Sequence, residues 1–372
     1  MLEELEAAGL LDPSAPDAEY RRVIAQQLLD VGLPVADVIA ILEADDVEHA
    51  MNSHLLFPGP RLEITEIAAR VGVSVEQLRQ ISLAAGLAPS DADDNAPVFS
   101  VRDEAVFAAF NAGVALFGEQ ATFHFIRVMG SALAQVAEAA VALFGANVEG
   151  PLNEQQAPPE VRFKSSVLAT QALAGVGAGL DTLFRFHAET AIRRLTRARE
   201  GVDSFGSARL VVGFVDLVGF TPLAERVGPH ELSDMFDEFE DLAFDVITAH
   251  DARLVKLIGD AIMFTAFTPD DACDIALTLV EQFSGDSSPV TPRGALAAGE
   301  MLVRGGDYYG PVVNLAARAA DLAVPYEILV SEDVVAGAGG GFRFEPAGRR
   351  LLKGFASPVP LATVTRTEST DG

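Results

Sequence analysis

Along roughly the first half of the chain, apolar residues recur at the spacing of a helix. Glu19–Leu42 carries them at i, i+3 and i+4, which predicts one amphipathic helix before the break at Pro58-Gly59-Pro60. Val101–Phe117, Thr122–Phe144 and Ser165–Phe186 predict further helices, rich in Ala and Phe. Asn147–Pro159, dense in turn formers, predicts a loop. Arg185–Glu200 extends the helical pattern with five Arg and one Glu between 185 and 199, and Gly201 is a plausible stop. Beyond it the period changes. Ser207–Phe214 and Arg253–Thr265 are β-rich, and helical patterns lie between and after them at Pro229–His250 and Asp270–Phe283. Alternating strands and helices indicate a sheet-containing domain. The expected organisation is an N-terminal all-α domain over 1–184, a linker helix over 185–204 and a C-terminal α+β domain over 205–372.

Charge narrows the function classes. Residues 1–200 hold 28 acidic and 14 basic groups, and residues 201–372 hold 26 and 12, so each part is net −14 and the whole chain −28. Such a field repels a phosphate backbone and argues against nucleic acid as the main partner. A polyanionic substrate then needs local cations, metal ions above all. The single cysteine, Cys273, excludes an intrachain disulfide and suggests a cytoplasmic chain. The acidic start Met1-Leu2-Glu3-Glu4 carries no signal-peptide pattern. The uncharged runs Ala105–Gly118 and Ser165–Leu180 fall short of the ~18–20 residues of a membrane span. They are expected to be buried helices, with no transmembrane segment.

Three segments carry candidate chemistry. In Val211-Val212-Gly213-Phe214-Val215-Asp216-Leu217-Val218-Gly219-Phe220-Thr221 an apolar strand runs into a carboxylate and then a glycine turn, whose backbone amides can cradle phosphate oxygens. Leu254-Val255-Lys256-Leu257-Ile258-Gly259-Asp260-Ala261-Ile262-Met263-Phe264 predicts two short strands with Gly259-Asp260 at the hairpin tip. Asp216 and Asp260 meet if the two strands are sheet neighbours, and paired carboxylates want a cation such as Mg²⁺ or Mn²⁺. In Asp307-Tyr308-Tyr309-Gly310-Pro311-Val312-Val313-Asn314-Leu315-Ala316-Ala317-Arg318, Asn314 and Arg318 lie one helical turn apart, an amide and a guanidinium suited to a ribose and a phosphate. Taken singly, each feature is also an ordinary hairpin turn, strand end or surface arginine.

Together, over about Ser207–Val364, the three segments resemble the class III adenylate and guanylate cyclase catalytic domain, in the family's order and near its spacing. The resemblance implies a ferredoxin-like α+β fold and two divalent metal ions per site, Mg²⁺ or Mn²⁺, with Asp216, Leu217 and Asp260 at the metal positions. It implies Lys256 and Asp307 as purine readers, Asn314 as ribose orienter and Arg318 as the group that meets charge on the α-phosphate. Gly219, Phe220, Thr221, Lys353 and Arg293 fall at substrate-contacting positions, although Thr291–Gly299 departs from the family pattern around Arg293. Adenine offers an acceptor at N1 and a donor at its amine, which a lysine and an aspartate complement, whereas guanine presents the reverse. ATP is therefore the expected substrate, guanylate cyclase the nearest rival, and a silent cyclase-like module a third reading. The family's sites form between two catalytic domains. A chain with each element once is thus expected to act as a homodimer, its carboxylates facing the other copy's Lys256, Asp307, Asn314 and Arg318.

The first domain is less specific. Ile64–Arg79 reads as a helix, a glycine turn and a capped second helix, similar to a helix-turn-helix unit, but its acidic setting favours a scaffold over DNA binding. A helical domain before a single cyclase domain resembles the soluble, pH-responsive, autoinhibited actinobacterial adenylate cyclases. That implies a regulatory role and a fatty-acid site. Phe107, Phe110, Phe117, Phe123 and Phe125 read either as the lining of such a site or as a plain aromatic core. His124 and His187 read either as pH sensors or as ordinary packed side chains. The Arg-rich helix reads either as a lever on the acidic catalytic domain or as a solvated linker face.

Overall fold

The computed structural model describes all residues except 1, 16, 88–98, 199–205, 220–226, 284–289 and 368–372. The chain divides into two compact units, Met1–His187 and Ala188–Gly372.

The first unit is helical, with α1 Leu2–Ala7, α2 Ala18–Asp30, α3 Val35–Glu43, α4 Val47–Leu56, α5 Ile64–Val71, α6 Val75–Ala84, α7 Asp103–Phe117, α8 Glu119–Phe144, α9 Gly150–Glu154 and most of α10 Pro159–Ala198. A two-stranded ribbon of β1 Arg61–Leu62 and β2 Phe99–Ser100 joins them. The single helix expected over Glu19–Leu42 is two helices, α2 and α3. Gly32, at φ +88°, and Pro34 interrupt a pattern whose apolar spacing continues across the break. Nor is Asn147–Pro159 a plain loop. Gly145–Glu149 winds a π-turn into α9, where Pro151 sits in the first turn and needs no N–H partner. The glycine turn between α5 and α6 is as expected. Gly72 is left-handed at φ +77°, and Ser74 with Gln77 forms a capping box.

Two small cores result. Leu5, Ile24, Leu28, Ile41 and Met51 pack with Phe163 and Val167 of α10, and Ile67, Leu78 and Ile81 pack with Phe107, Phe110 and Ile126. The apolar runs expected to be buried are largely not. Ala105–Gly118, in α7, buries Phe107 and Phe110 but exposes Val106, Leu116 and Phe117, and Ser165–Leu180, in α10, exposes Leu168 and Val176; α8 likewise exposes Met129, Leu133, Val136, Val141 and Leu143. α10 is longer than the uncharged run within it, and by length and composition alone both it and the helical stretch Glu119–Glu154 are able to cross a membrane. A periodicity argument identifies such helices but does not tell what covers them.

The second unit opens with the last turns of α10 and continues through β3 Ser207–Val218, α11 Pro229–Ala249, β4 Arg253–Ile258, β5 Ala261–Ala266, α12 Pro269–Gln282, β6 Thr291–Arg304, β7 Asp307–Tyr309, α13 Pro311–Ala320, β8 Ile328–Ser331, α14 Glu332–Gly337, β9 Phe342–Arg350 and β10 Val359–Arg366. The strands form one mixed sheet in the order β4-β5-β3-β6-β8-β10-β9, with β7 added to β6. The central strand β3 is apolar on both faces because both are covered. Val211, Val215 and Leu217 enter a core with Phe239 and Ile247 of α11 and Ile275 and Leu279 of α12. Leu210, Val212 and Phe214 enter a second core with Ala316, Ala319 and Ala320 of α13. Cys273 belongs to the first core, where burial, followed by the charges of Asp270 and Asp274, pushes its thiol up to about 12.

Candidate active site

Strand pairing brings the first carboxylates together. β3 lies between β5 and β6, so Asp216 stands opposite Ala261 on one side and Arg293 on the other. The β4–β5 hairpin turns at Gly259, whose φ of +63° lies where a side chain is disfavoured, and this sets Asp260 beside the end of β3. Burial raises the Asp260 carboxyl above its ordinary range. The charge of Asp216 and a hydrogen bond shared with it raise it further, while the Arg293 guanidinium opposes the rise.

Arg293 donates from Nη2 to Asp216 Oδ2 at 3.2 Å and from Nη1 to the carbonyls of Asp321 and Ala323 at 3.3 and 2.8 Å. Its Nε is buried without a hydrogen-bond partner among the described residues. One guanidinium therefore ties the metal-type carboxylate to the chain that follows α13. Among the described residues no third acidic, histidine or cysteine side chain joins the carboxylate pair in a metal-holding group. Two carboxylates plus substrate oxygens are the donor set that magnesium-class ions commonly use, and a cation held between the pair would offset their mutual repulsion.

Lys256 and Asp307 also meet. β4 carries the lysine, β7 the aspartate, and Nζ lies 2.5 Å from Oδ2. Asp307 Oδ1 accepts the Tyr308 N–H at 2.8 Å. Burial works to raise Asp307, but the hydrogen bonds from Lys256 and Tyr308 and the ammonium charge outweigh it and hold the carboxyl below its usual range.

Helix α13 starts with Pro311 in its first turn, where a missing N–H costs nothing, and its apolar face packs on the sheet. Asn314 and Arg318 lie on its exposed face, and Arg318 donates to Asp321 Oδ2 at 3.3 Å. Gly219, at φ +89°, turns the chain directly after β3, and Phe220 and Thr221 lie outside the described residues. Lys353 is exposed on the β9–β10 connection, which the buried Leu352 anchors.

Two pairings escaped sequence reading. Asp216–Arg293 is a cross-strand partnership whose register no local pattern encodes. Lys256–Asp307 joins two residues assigned a shared role, although their contact depends on β7 folding back along β6.

In the first unit, His124 is half-buried and its Nε2 has no hydrogen-bond partner among the described residues, whereas His187 is exposed. Phe107 and Phe110 are core residues, with Phe123 against Phe110 at a ring separation of 5.0 Å, and Phe117 and Phe125 are exposed. A cleft of about 530 Å³ lies elsewhere in the unit, among Leu56, Val141, Phe144, Leu152, Arg162 and Leu173. The five phenylalanines singled out in the sequence do not line it.

No model of a known protein family matches the chain. An uncharacterized protein of Mycobacterium tuberculosis is 30% identical over 364 residues, covering 95% of this chain and 92% of its own length. The pH-sensitive adenylate cyclase MT1302 of the same species is 30% identical over 318 residues, 83% of this chain and 79% of its own. The crystal structure of the adenylyl cyclase CyaB from P. aeruginosa is 22% identical with a TM-score of 0.38, and all of it aligns with 45% of this chain.

Proposed function

Because this chain belongs to the class III adenylate cyclases, we propose that it converts ATP into 3′,5′-cyclic AMP and pyrophosphate at two equivalent sites, each completed by a second copy. The observation that carries this reading is the meeting of Asp216 and Asp260 at the end of β3 and the β4–β5 turn, where burial and then the charge of Asp216 raise the Asp260 carboxyl. In the proposed site Asp216 and Asp260, with Leu217 alongside, hold two Mg²⁺ or Mn²⁺ ions. Such ions, when bound, neutralise the triphosphate and make the ribose 3′-hydroxyl more acidic.

The protein's own groups do the rest. Arg293 keeps Asp216 aimed, which is the role its present contacts favour over direct phosphate binding. The turn at Gly219, with Phe220 and Thr221, offers amides to the phosphates. From the other copy, Asn314 orients the ribose, and Arg318 meets the charge that develops on the α-phosphate as the 3′-oxygen attacks and pyrophosphate leaves. Lys353 adds a phosphate contact. Incubating the purified protein with ATP or GTP plus Mn²⁺ or Mg²⁺, across pH, and assaying cyclic nucleotides tests the reading directly.

Lys256 and Asp307 read the purine. The ammonium keeps donors beyond the one given to Asp307, so the pair presents a donor beside an acceptor, complementary to adenine. The expected kcat/KM for ATP exceeds that for GTP by about a hundred-fold or more, because guanine leaves both groups facing like partners. Equal values for the two nucleotides reject the assignment.

We further propose that the first unit restrains the catalytic unit and that acid releases it in the cytoplasm. His124, whose Nε2 has no hydrogen-bond partner among the described residues, is the candidate sensor. The cleft at Arg162 is the candidate fatty-acid site, with Val141, Phe144 and Leu173 for the chain and one guanidinium for the carboxylate, set beside Glu48 and Glu149. Removal of residues 1–187 is expected to flatten the pH profile and raise activity near pH 8. A truncated protein that keeps the acid activation of the full chain places the sensor in the catalytic unit. One inactive at every pH makes the first unit a support for dimerisation and not an inhibitor.

A further inference from the structure

The last turns of α10 present Thr190, Arg193, Arg194 and Arg197, spaced so that they share a face, towards Asp251 and Phe267 of the same unit. Between these six residues lies a cleft of about 200 Å³. None of them belongs to the proposed nucleotide site. Each guanidinium is partly engaged. Arg193 donates to Thr190 Oγ1 at 3.3 Å, and Arg194 Nη2 donates to the Ala252 carbonyl at 2.7 Å. The Arg197 guanidinium lies 4.4 Å from the centre of the Phe267 ring.

Among the described residues that line the cleft, one carboxylate faces Arg194 and Arg197. Asp251 stands 3.9 Å from Arg194 and 3.7 Å from Arg197, too far for good hydrogen bonds to either. Among the described residues that line the cleft, three guanidiniums against one carboxylate leave an excess of two positive charges, in a chain whose net charge is −28. Arg194 Nε is, in addition, buried with no hydrogen-bond partner among the described residues, a state that buried donors rarely keep. Burial pulls Arg194 below its ordinary value, Asp251 opposes that, and Arg253 and Arg193 add to it. Among the described lining residues the charge is thus uncompensated, and at Arg194 solvent is partly excluded.

We propose that this cleft is a binding site for a doubly charged phosphate-class oxyanion, either inorganic phosphate or the phosphoryl group of a phosphomonoester. Two negative charges match the excess. A tetrahedral oxyanion offers acceptors in several directions, as three guanidiniums arriving from one helix face and a buried Nε–H require, whereas a planar carboxylate serves one fork. Occupancy fixes more than the helix. Arg194 also holds the Asp251-Ala252 turn, where Asp251 adopts φ +51°, and this turn leads into β4 and Lys256. The ligand therefore bears on the strand that carries a proposed purine reader.

The test is calorimetric titration of the metal-free full-length protein with inorganic phosphate, in EDTA and at ionic strength held constant with chloride. EDTA keeps metal-assisted phosphate binding at Asp216 and Asp260 out of the measurement. Saturable binding of about one phosphate per chain is expected, weakened about ten-fold or more in Arg193→Ala/Arg197→Ala. Arg193→Glu alone, at an exposed position that leaves the Asp251 and Phe267 contacts in place, is expected to weaken it comparably. Asp216→Ala is expected to bind as the wild type does. Titration with glycerol 3-phosphate separates the sources: tighter binding than phosphate identifies an esterified ligand, weaker binding the free anion. The proposal is overturned if phosphate binds no better than chloride, if folded Arg193→Glu binds it unchanged, or if Asp216→Ala removes the binding.

Discussion

Asp216→Ala and Asp260→Ala each reduce kcat for cyclic AMP formation by about a thousand-fold or more, with Mn²⁺ saturating, while the protein stays folded. The size follows from the donor set. The described residues group no third acidic, histidine or cysteine side chain with the pair, so losing either carboxylate removes half of the protein's charged contribution to holding a cation against a triphosphate. The fold survives for a reason visible in the electrostatics. Burial and the charge of Asp216 hold Asp260 above its ordinary range, so the pair costs stability at neutral pH and does not supply it. A raised folded-state value means that the folded protein binds its proton more tightly than the unfolded chain. Stability is then lost as pH rises from the ordinary aspartate range to the raised value, and removing Asp216 relieves part of that loss. The opposing effect in Asp216→Ala is that Arg293 loses its 3.2 Å partner, although two backbone carbonyls still hold it. Circular dichroism and a cooperative melt check the fold, and a coupled pyrophosphate assay checks the chemistry. Near-normal turnover in either variant sinks the two-metal assignment.

Mixing Asp216→Ala with Arg318→Ala restores activity that neither protein has alone. With two equivalent sites per dimer, each built from the carboxylates of one copy and the α13 residues of the other, both defects fall in one site of a mixed dimer and leave the second intact. Random exchange makes half the dimers mixed, each with one working site, so about a quarter of wild-type specific activity returns. The outcome discriminates because both residues lie in one compact unit of a single chain. A site complete within one chain stays dead however the proteins are mixed. Arg318 is suited to the experiment, since its guanidinium is exposed and its one ion pair, with Asp321, is also exposed, so its removal disturbs little packing. Subunit exchange is verified with differently tagged copies. Exchange without recovered activity rejects the shared site.

Much of this was legible in the sequence, for identifiable reasons. Strand β3 announces itself because both faces are covered and its residues are therefore apolar in succession. The hairpin at Gly259-Asp260 does so because a left-handed turn position selects glycine. The α13 pair does so because residues four apart on a helix share a face. These are local rules, and the candidate site is legible to the extent that it is built from them. The helices of the first unit were legible as helices for the same reason.

Their boundaries and burial were not. Apolar spacing runs unbroken across Gly32 and Pro34, and it reads alike whether a helix is covered or, as in α8 and α10, largely bare. The remaining features belong to the tertiary structure alone. Arg293 meets Asp216 only because β6 pairs with β3 in one register, and a shift of one residue would point it to the other face. Lys256 meets Asp307 only because β7 folds back along β6. The arginines of α10 crowd Asp251 only because that helix ends against the turn before β4. The sequence by itself singled out the candidate side chains, through three short motifs and the family resemblance that those motifs carry. Only the tertiary structure decided which of them meet, because register and docking are set by the summed burial of distant strands and helices.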